Sequence, residues 1–237
     1  MSTHDARFIR PALATLCAAS CAALVACGGT VCLSSDGGGC SVNELPNVAV
    51  SGTAATGKAL ASASVNFSCA QGAGGVLSDG GGHYSATFNA TLPCIIIVTS
   101  GGTTLHSLAF AGGTFNTTPE TELMLVYLAS QLGTSEANLI ASLPSNALFQ
   151  QVLANQTDVL AAQSAVVANL QQHYSVTLST PAFLTTPFVV GQSGVDSDLG
   201  LLATAGAIDT NGLPDPAAVS LLAAAGQAHP VAAASPP

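Results

Sequence analysis

Between Val48 and Asn116 the chain consists of short runs of alternating apolar and polar residues cut apart by glycine, and this pattern constrains the fold most tightly. The runs are Val48–Val50, Ala63–Cys69, His83–Phe88, Cys94–Thr99 and Leu105–Phe110. In Ala63-Ser-Val-Asn-Phe-Ser-Cys69, residues Ala63, Val65, Phe67 and Cys69 fall on one side, with Ser64, Asn66 and Ser68 on the other. A period of two belongs to a strand with one buried face, because successive side chains point to opposite sides of the pleat. Several such strands at regular spacing, with turn signals such as Ser78-Asp-Gly-Gly-Gly82 between them, predict a small antiparallel β-sandwich over residues 48–116.

The same residues carry a family likeness. Val50-Ser-Gly52, then Gly57-Lys-Ala-Leu-Ala-Ser-Ala-Ser-Val65, then Asp79 followed by Gly82-His-Tyr84, resembles the carboxypeptidase regulatory-like (transthyretin-like) domain. That family opens on V-x-G, enters a strand through G-x-x-L-x-x-A-x-V and turns into the next through D-x-x-G-x-Y. The resemblance implies a prealbumin-like sandwich, and it implies architecture rather than activity. Such domains accompany another function, and the metallopeptidase domain of the family's name is missing from this sequence.

Residues 1–26 predict an export signal. Arg7 and Arg10 supply its positive end, and Ala12–Ala26 form an apolar run too short to span a bilayer comfortably. Leu24-Val-Ala-Cys27 matches the bacterial lipobox, so Cys27 is expected to take a diacylglycerol and become the mature N-terminus. An ordinary signal peptide cut near Ala26 is the competing reading. The whole order resembles lipoproteins of Gram-negative bacteria, and by that resemblance Gly28 in place of aspartate implies sorting to the outer membrane. Two or three acyl chains on one residue hold a bilayer far more firmly than one. Residues 27–47 would then be a lipidated N-terminus and linker.

Charge narrows the partners. Of three basic residues only Lys58 lies beyond the signal, against a total of twelve acidic residues. A chain with one cation cannot neutralise a run of phosphates, which excludes nucleic acid and electrostatic attraction to anionic lipid. No run beyond the signal is long and apolar enough for a transmembrane helix, so attachment falls to the lipid at Cys27. With Cys27 acylated, Cys32, Cys40, Cys69 and Cys94 form an even set in an oxidising compartment. Three pairings are possible; proximity and the strand pattern favour Cys32 with Cys40 and Cys69 with Cys94. A zinc site competes poorly, because these spacings lack the close C-x2-C knuckle and no histidine lies beside them.

After Asn116 the period changes to that of helices, giving an α+β chain with an α-helical region over residues 117–228. Thr117 or Thr118 is the predicted N-cap of a helix with Pro119 in its first turn and Glu120 and Glu122 at its positive end. It stops at Gly133. Further helices are predicted over Ser135–Leu143, over Ser145–Tyr174 as one helix or two broken near Asn155–Asp158, over Ser193–Ile208, and over Asp215–Ala225. Thr180–Pro187 reads as extended loop, and 229–237 as a disordered tail.

Catalytic constellations are thin. Ser193 in Gly191-Gln-Ser-Gly-Val195 lacks the second glycine of a G-x-S-x-G elbow and reads as a turn and helix cap. His83 and His106 are placed on strands, where a histidine pair without a third ligand reads as exposed decoration. His173 reads as a helix C-terminal cap, Asp79 and Asp36 as turn formers, and Asp196 with Asp198 as helix-start residues and no dyad. No catalytic, cofactor or metal residue is therefore expected. The sequence leads to an anchored envelope lipoprotein, a non-enzymatic binding or structural module for protein or glycan partners. The alternatives are a carrier with an apolar cavity between sandwich and helices, and a hydrolase using Ser193 with His173 or His83.

Overall fold

The computed structural model describes residues 44–231. The expected export signal, the lipid attachment at Cys27, the Cys32–Cys40 pair and the Asp36 turn lie outside the described residues. So does the tail beyond residue 231.

Five strands come first: β1 (Asn47–Thr53), β2 (Ser64–Leu77), β3 (His83–Ser100), β4 (Thr103–Ala109) and β5 (Gly113–Thr114). They form one mostly antiparallel sheet in the order β2-β3-β1-β5, with β4 also on β3. The alternation in β2 does what its period demands: Val65, Phe67 and Cys69 are buried while Ser64 and Asn66 are exposed.

Strand β3 corrects an expectation. His83–Phe88 and Cys94–Thr99 are halves of one 18-residue strand. The first half pairs with β1, from Thr53↔His83 to Asn47↔Asn89. The second half pairs with β2 on one side and β4 on the other. Proline cannot donate to a ladder, yet Pro93 lies inside this strand. The strand accommodates it in a bulge, where Leu92 and Pro93 oppose Ala70 between the pairs Gln71↔Thr91 and Cys69↔Cys94. Phe67 of β2 stands 4.8 Å from Phe88 and 6.3 Å from Tyr84, centroid to centroid, so the two halves of the sheet share a core.

Six α-helices follow: α1 (Pro119–Gln131), α2 (Glu136–Ser142), α3 (Ala147–Ala154), α4 (Gln156–Tyr174), α5 (Val195–Ala205) and α6 (Pro216–Ala228). Thr118 is the N-cap of α1, with the Thr121 hydroxyl accepting from its backbone N–H at 3.0 Å. Ser135, Asn146 and Asp215 cap α2, α3 and α6 through side-chain oxygens. The break between α3 and α4 falls as expected, but its cap is Asn155, whose carbonyl oxygen accepts from Thr157 N at 3.0 Å, in place of Thr157 or Asp158. Helix α1 is buried on all sides, with Leu123, Met124, Leu125, Leu128 and Ala129 fully inaccessible. One side meets β4 and the other meets α4 and α6. A Cβ on Gly226 of α6 would stand 2.4 Å from the Tyr127 carbonyl oxygen, so only glycine permits this close approach to α1. A single apolar cluster therefore runs from the sheet through the helices.

Candidate functional site

A cleft of about 550 Å³ opens where the end of β1, the start of β3 and the segment between α4 and α5 converge. Its walls carry Ser51, Thr53, His83, Thr114, Phe188 and Gln192, and Ser193 lies at its rim. No carboxylate, lysine or arginine lines it.

Asn116 builds this cleft. Fully buried just before α1, it donates its amide to the carbonyls of Phe183 at 2.8 Å and Thr186 at 2.7 Å. Its oxygen accepts from Thr53 N at 3.2 Å, and its own N–H reaches Leu184 O at 2.7 Å. One side chain thus ties a loop some seventy residues downstream to the end of β1, satisfying groups that burial would otherwise strand. Asp198 holds the next part of the wall. It is fully buried in α5 and accepts from Ser179 N and Oγ, both at 2.9 Å, and from Thr180 N at 2.8 Å.

The hydrogen-bond pattern assigns a tautomer to His83. Thr53 Oγ1 lies 2.9 Å from His83 Nδ1 and 3.0 Å from the Phe188 carbonyl oxygen. A hydroxyl has one proton, and the carbonyl can only accept it. The hydroxyl must then accept from Nδ1–H, so that whenever the ring is neutral its lone pair is on Nε2. Asp79 forms the preceding turn, as expected, accepting from Gly81 N and His83 N at 2.8 Å each. These backbone bonds, His83 N–H first, hold its carboxyl below the ordinary range.

The other candidate residues scatter. Ser193 is exposed and precedes the cap position of α5, which belongs to Gly194, with Ser197 Oγ accepting from Gly194 N at 3.0 Å. The expected capping role of Ser193 is therefore corrected. His173 lies exposed in the last turn of α4 and is not among the residues lining the cleft. Cys69 and Cys94 form a disulfide between facing positions of β2 and β3.

His106 is at the far end of β3 from His83, opposite Ile97, so the two histidines are not neighbours. Nor is it exposed decoration. Its Nδ1 lies 3.0 Å from Glu122 Oε1, and its backbone N–H donates to Glu122 Oε2. Glu136 is close by, and burial together with the Glu122 charge and hydrogen bond pushes its carboxyl up to about 9. In the same helix start Glu120 is fully buried, and neither of its oxygens has a partner. Burial first, then the nearby Asp198, raises its carboxyl well above the ordinary range. Glu120 and Glu122 stand in the first turn of α1 as expected, Glu120 fully buried and Glu122 half-buried. Asn116, Glu120 and Glu136 carry no local signal of these roles, because every partner is remote in sequence.

Comparison with family models, with curated proteins and with solved structures returns no match. Among the described residues no helix is long and apolar enough to cross a membrane.

Proposed function

We propose that the protein is a lipid-anchored module of the bacterial cell envelope that binds an uncharged, hydroxyl-rich or peptide-like partner in the cleft at His83. The observation that carries this reading is the lining: threonine and serine hydroxyls, one imidazole, one glutamine amide and the Phe188–Val189 surface, with no charged carboxylate or cation. Such a set offers both donors and acceptors beside an apolar face, which suits a glycan or an extended peptide and repels neither. The anchor is Cys27, read from Leu24-Val-Ala-Cys27, with the outer membrane as its destination.

The carboxypeptidase regulatory-like resemblance gains a physical sense. Gly52 and Tyr84 face each other in the β1–β3 register. A Cβ on Gly52 would lie 1.9 Å from the Phe115 carbonyl oxygen and 2.6 Å from the Tyr84 hydroxyl. That hydroxyl donates to Phe115 O, so the V-x-G glycine and the turn tyrosine form one packing unit beside the cleft. This supports a transthyretin-like sandwich over residues 48–116 as the finer description of the sheet.

One observation favours a second reading, a serine hydrolase: Ser193 and His83 share the cleft, and His83 presents Nε2 as a base. Against it, Nδ1 is oriented by a threonine and not by a carboxylate. The carrier alternative needs space between sheet and helices, where Leu105, Leu108, Leu123 and Leu128 are fully buried against one another's elements. Separate Ser193→Ala and His83→Ala substitutions, compared with deletion of the gene, decide between binder and hydrolase. The binding reading expects Ser193→Ala to retain function; a deletion phenotype from that change, with fold intact, establishes the hydrolase.

A further inference from the structure

We propose that His106, Glu122 and Glu136 form a binding site for one divalent first-row transition cation, with Zn²⁺ the best-suited member. The three residues come from three elements: His106 from β4, Glu122 from the first turn of α1 and Glu136 from the first turn of α2. Each offers one ligand atom, and the three atoms lie within 4.8 Å of one another.

The distances fit a cation between them. Zinc bonds of about 2.0–2.1 Å in a tetrahedron place neighbouring ligand atoms about 3.3 Å apart. His106 Nδ1 is 3.0 Å from Glu122 Oε1 and 3.8 Å from Glu136 Oε1, on either side of that value. Little movement is needed. Glu122 is already aimed, because its second oxygen is held by the His106 backbone N–H.

A second observation, independent of spacing, points to a missing partner. Glu136 Oε1 is buried and has no hydrogen-bond partner, although it faces the other two groups. The single Nδ1 position of His106 lies within hydrogen-bond reach of Glu122 but not of Glu136. The described residues hold one lysine, Lys58, in the connection after β1, and no arginine, so they have almost no cation of their own to offer. Two carboxylates and an imidazole converging in a half-buried site are stabilised by a metal ion, which bonds all three at once.

The donor set selects the metal. One nitrogen and two carboxylates suit zinc, whereas calcium takes six to eight oxygens and magnesium keeps most of its water. Three protein ligands leave a fourth position. The side chains are 14 to 21% exposed, so solvent can reach that position. Bound there, the ion would tie β4 to both α1 and α2 and clamp the helical layer to the sheet.

The test is calorimetric titration of the full chain, stripped by chelator, with Zn²⁺ alone. Wild type should take one ion per chain through this site, with a thermal midpoint that rises on addition. Glu136→Gln keeps the shape and removes a ligand, and His106→Gln removes another. Each should bind at least about tenfold more weakly and lose the thermal response, while both remain folded by circular dichroism. Co²⁺ in place of Zn²⁺ should give a visible spectrum without the sulfur charge-transfer band that cysteine ligation produces. No binding up to millimolar Zn²⁺, equal affinity in wild type and both variants, or a thiolate band would overturn the proposal.

Discussion

Replacing Glu120 by methionine should stabilise the protein, by an amount that grows with pH. Glu120 is fully buried in the first turn of α1, and both of its oxygens lack partners. A stranded buried polar group costs about 1–3 kcal/mol, and methionine fills nearly the same space with a flexible apolar chain. Ionisation adds to this. Burial, then Asp198, raises the folded-state carboxyl above its ordinary value of 4.5. Below that value the folded and unfolded chains both hold the proton, and stability is fully present. Above it the unfolded chain releases the proton while the folded chain keeps it. Stability then falls by about 1.4 kcal/mol per pH unit until the raised folded-state value is passed. Methionine has no such slope, so the difference between the two proteins isolates one residue. Urea unfolding of both at about pH 4, 5.5 and 7 measures it. The variant should gain about 1–3 kcal/mol at the lowest pH and more at each step upward. A variant less stable at every pH, or a gain that does not change with pH, would refute the burial of an unpartnered, protonated carboxyl.

Three further outcomes follow from the packing. Asn116→Ala removes the bonds to Phe183 O, Thr186 O and Thr53 N; it should cost at least about 2–4 kcal/mol in denaturant unfolding and open the 183–188 loop to hydrogen exchange. Replacing Cys69 and Cys94 together by alanine, which frees a loop spanning a separation of 25 residues, should cost about 3.5 kcal/mol by the loop-entropy relation, read from urea midpoints with and without reductant. Gly226→Ala sets a methyl 2.4 Å from the Tyr127 carbonyl oxygen; it should lower stability by about 1–3 kcal/mol, measured by thermal unfolding, as α6 is pushed off α1.

What was legible in the sequence was local. The alternation from Ala63 to Cys69 marks a strand because its period is set within a few residues, and it aimed Cys69 inward toward its partner. Ser135 and Asp215 mark helix starts because a cap side chain bonds its own first turn, and Thr118 starts α1 through its backbone N–H, which Thr121 Oγ1 accepts. Less local features were missed in proportion to their reach. The continuity of β3 through Pro93 was missed, since the bulge that absorbs the proline depends on the facing residue Ala70. Asn116 marked only the end of the strand region, and its role exists only because the chain returns at Phe183–Thr186. The His106–Glu122–Glu136 group spans β4, α1 and α2 with no motif spacing. Ser193 and His83 line one cleft only through folding, along walls that Asn116 and Asp198 hold in place.

The central claim is that this chain binds a partner through the cleft at His83, and amide chemical-shift mapping tests it most directly. Labelled protein would be titrated with a panel of neutral oligosaccharides and of extended uncharged peptides. The account predicts saturable shifts from at least one of these, confined to Ser51, Thr53, His83, Thr114 and Gln192, and abolished by Asn116→Ala. Saturable shifts centred on another surface, or none from either class of ligand, would contradict it.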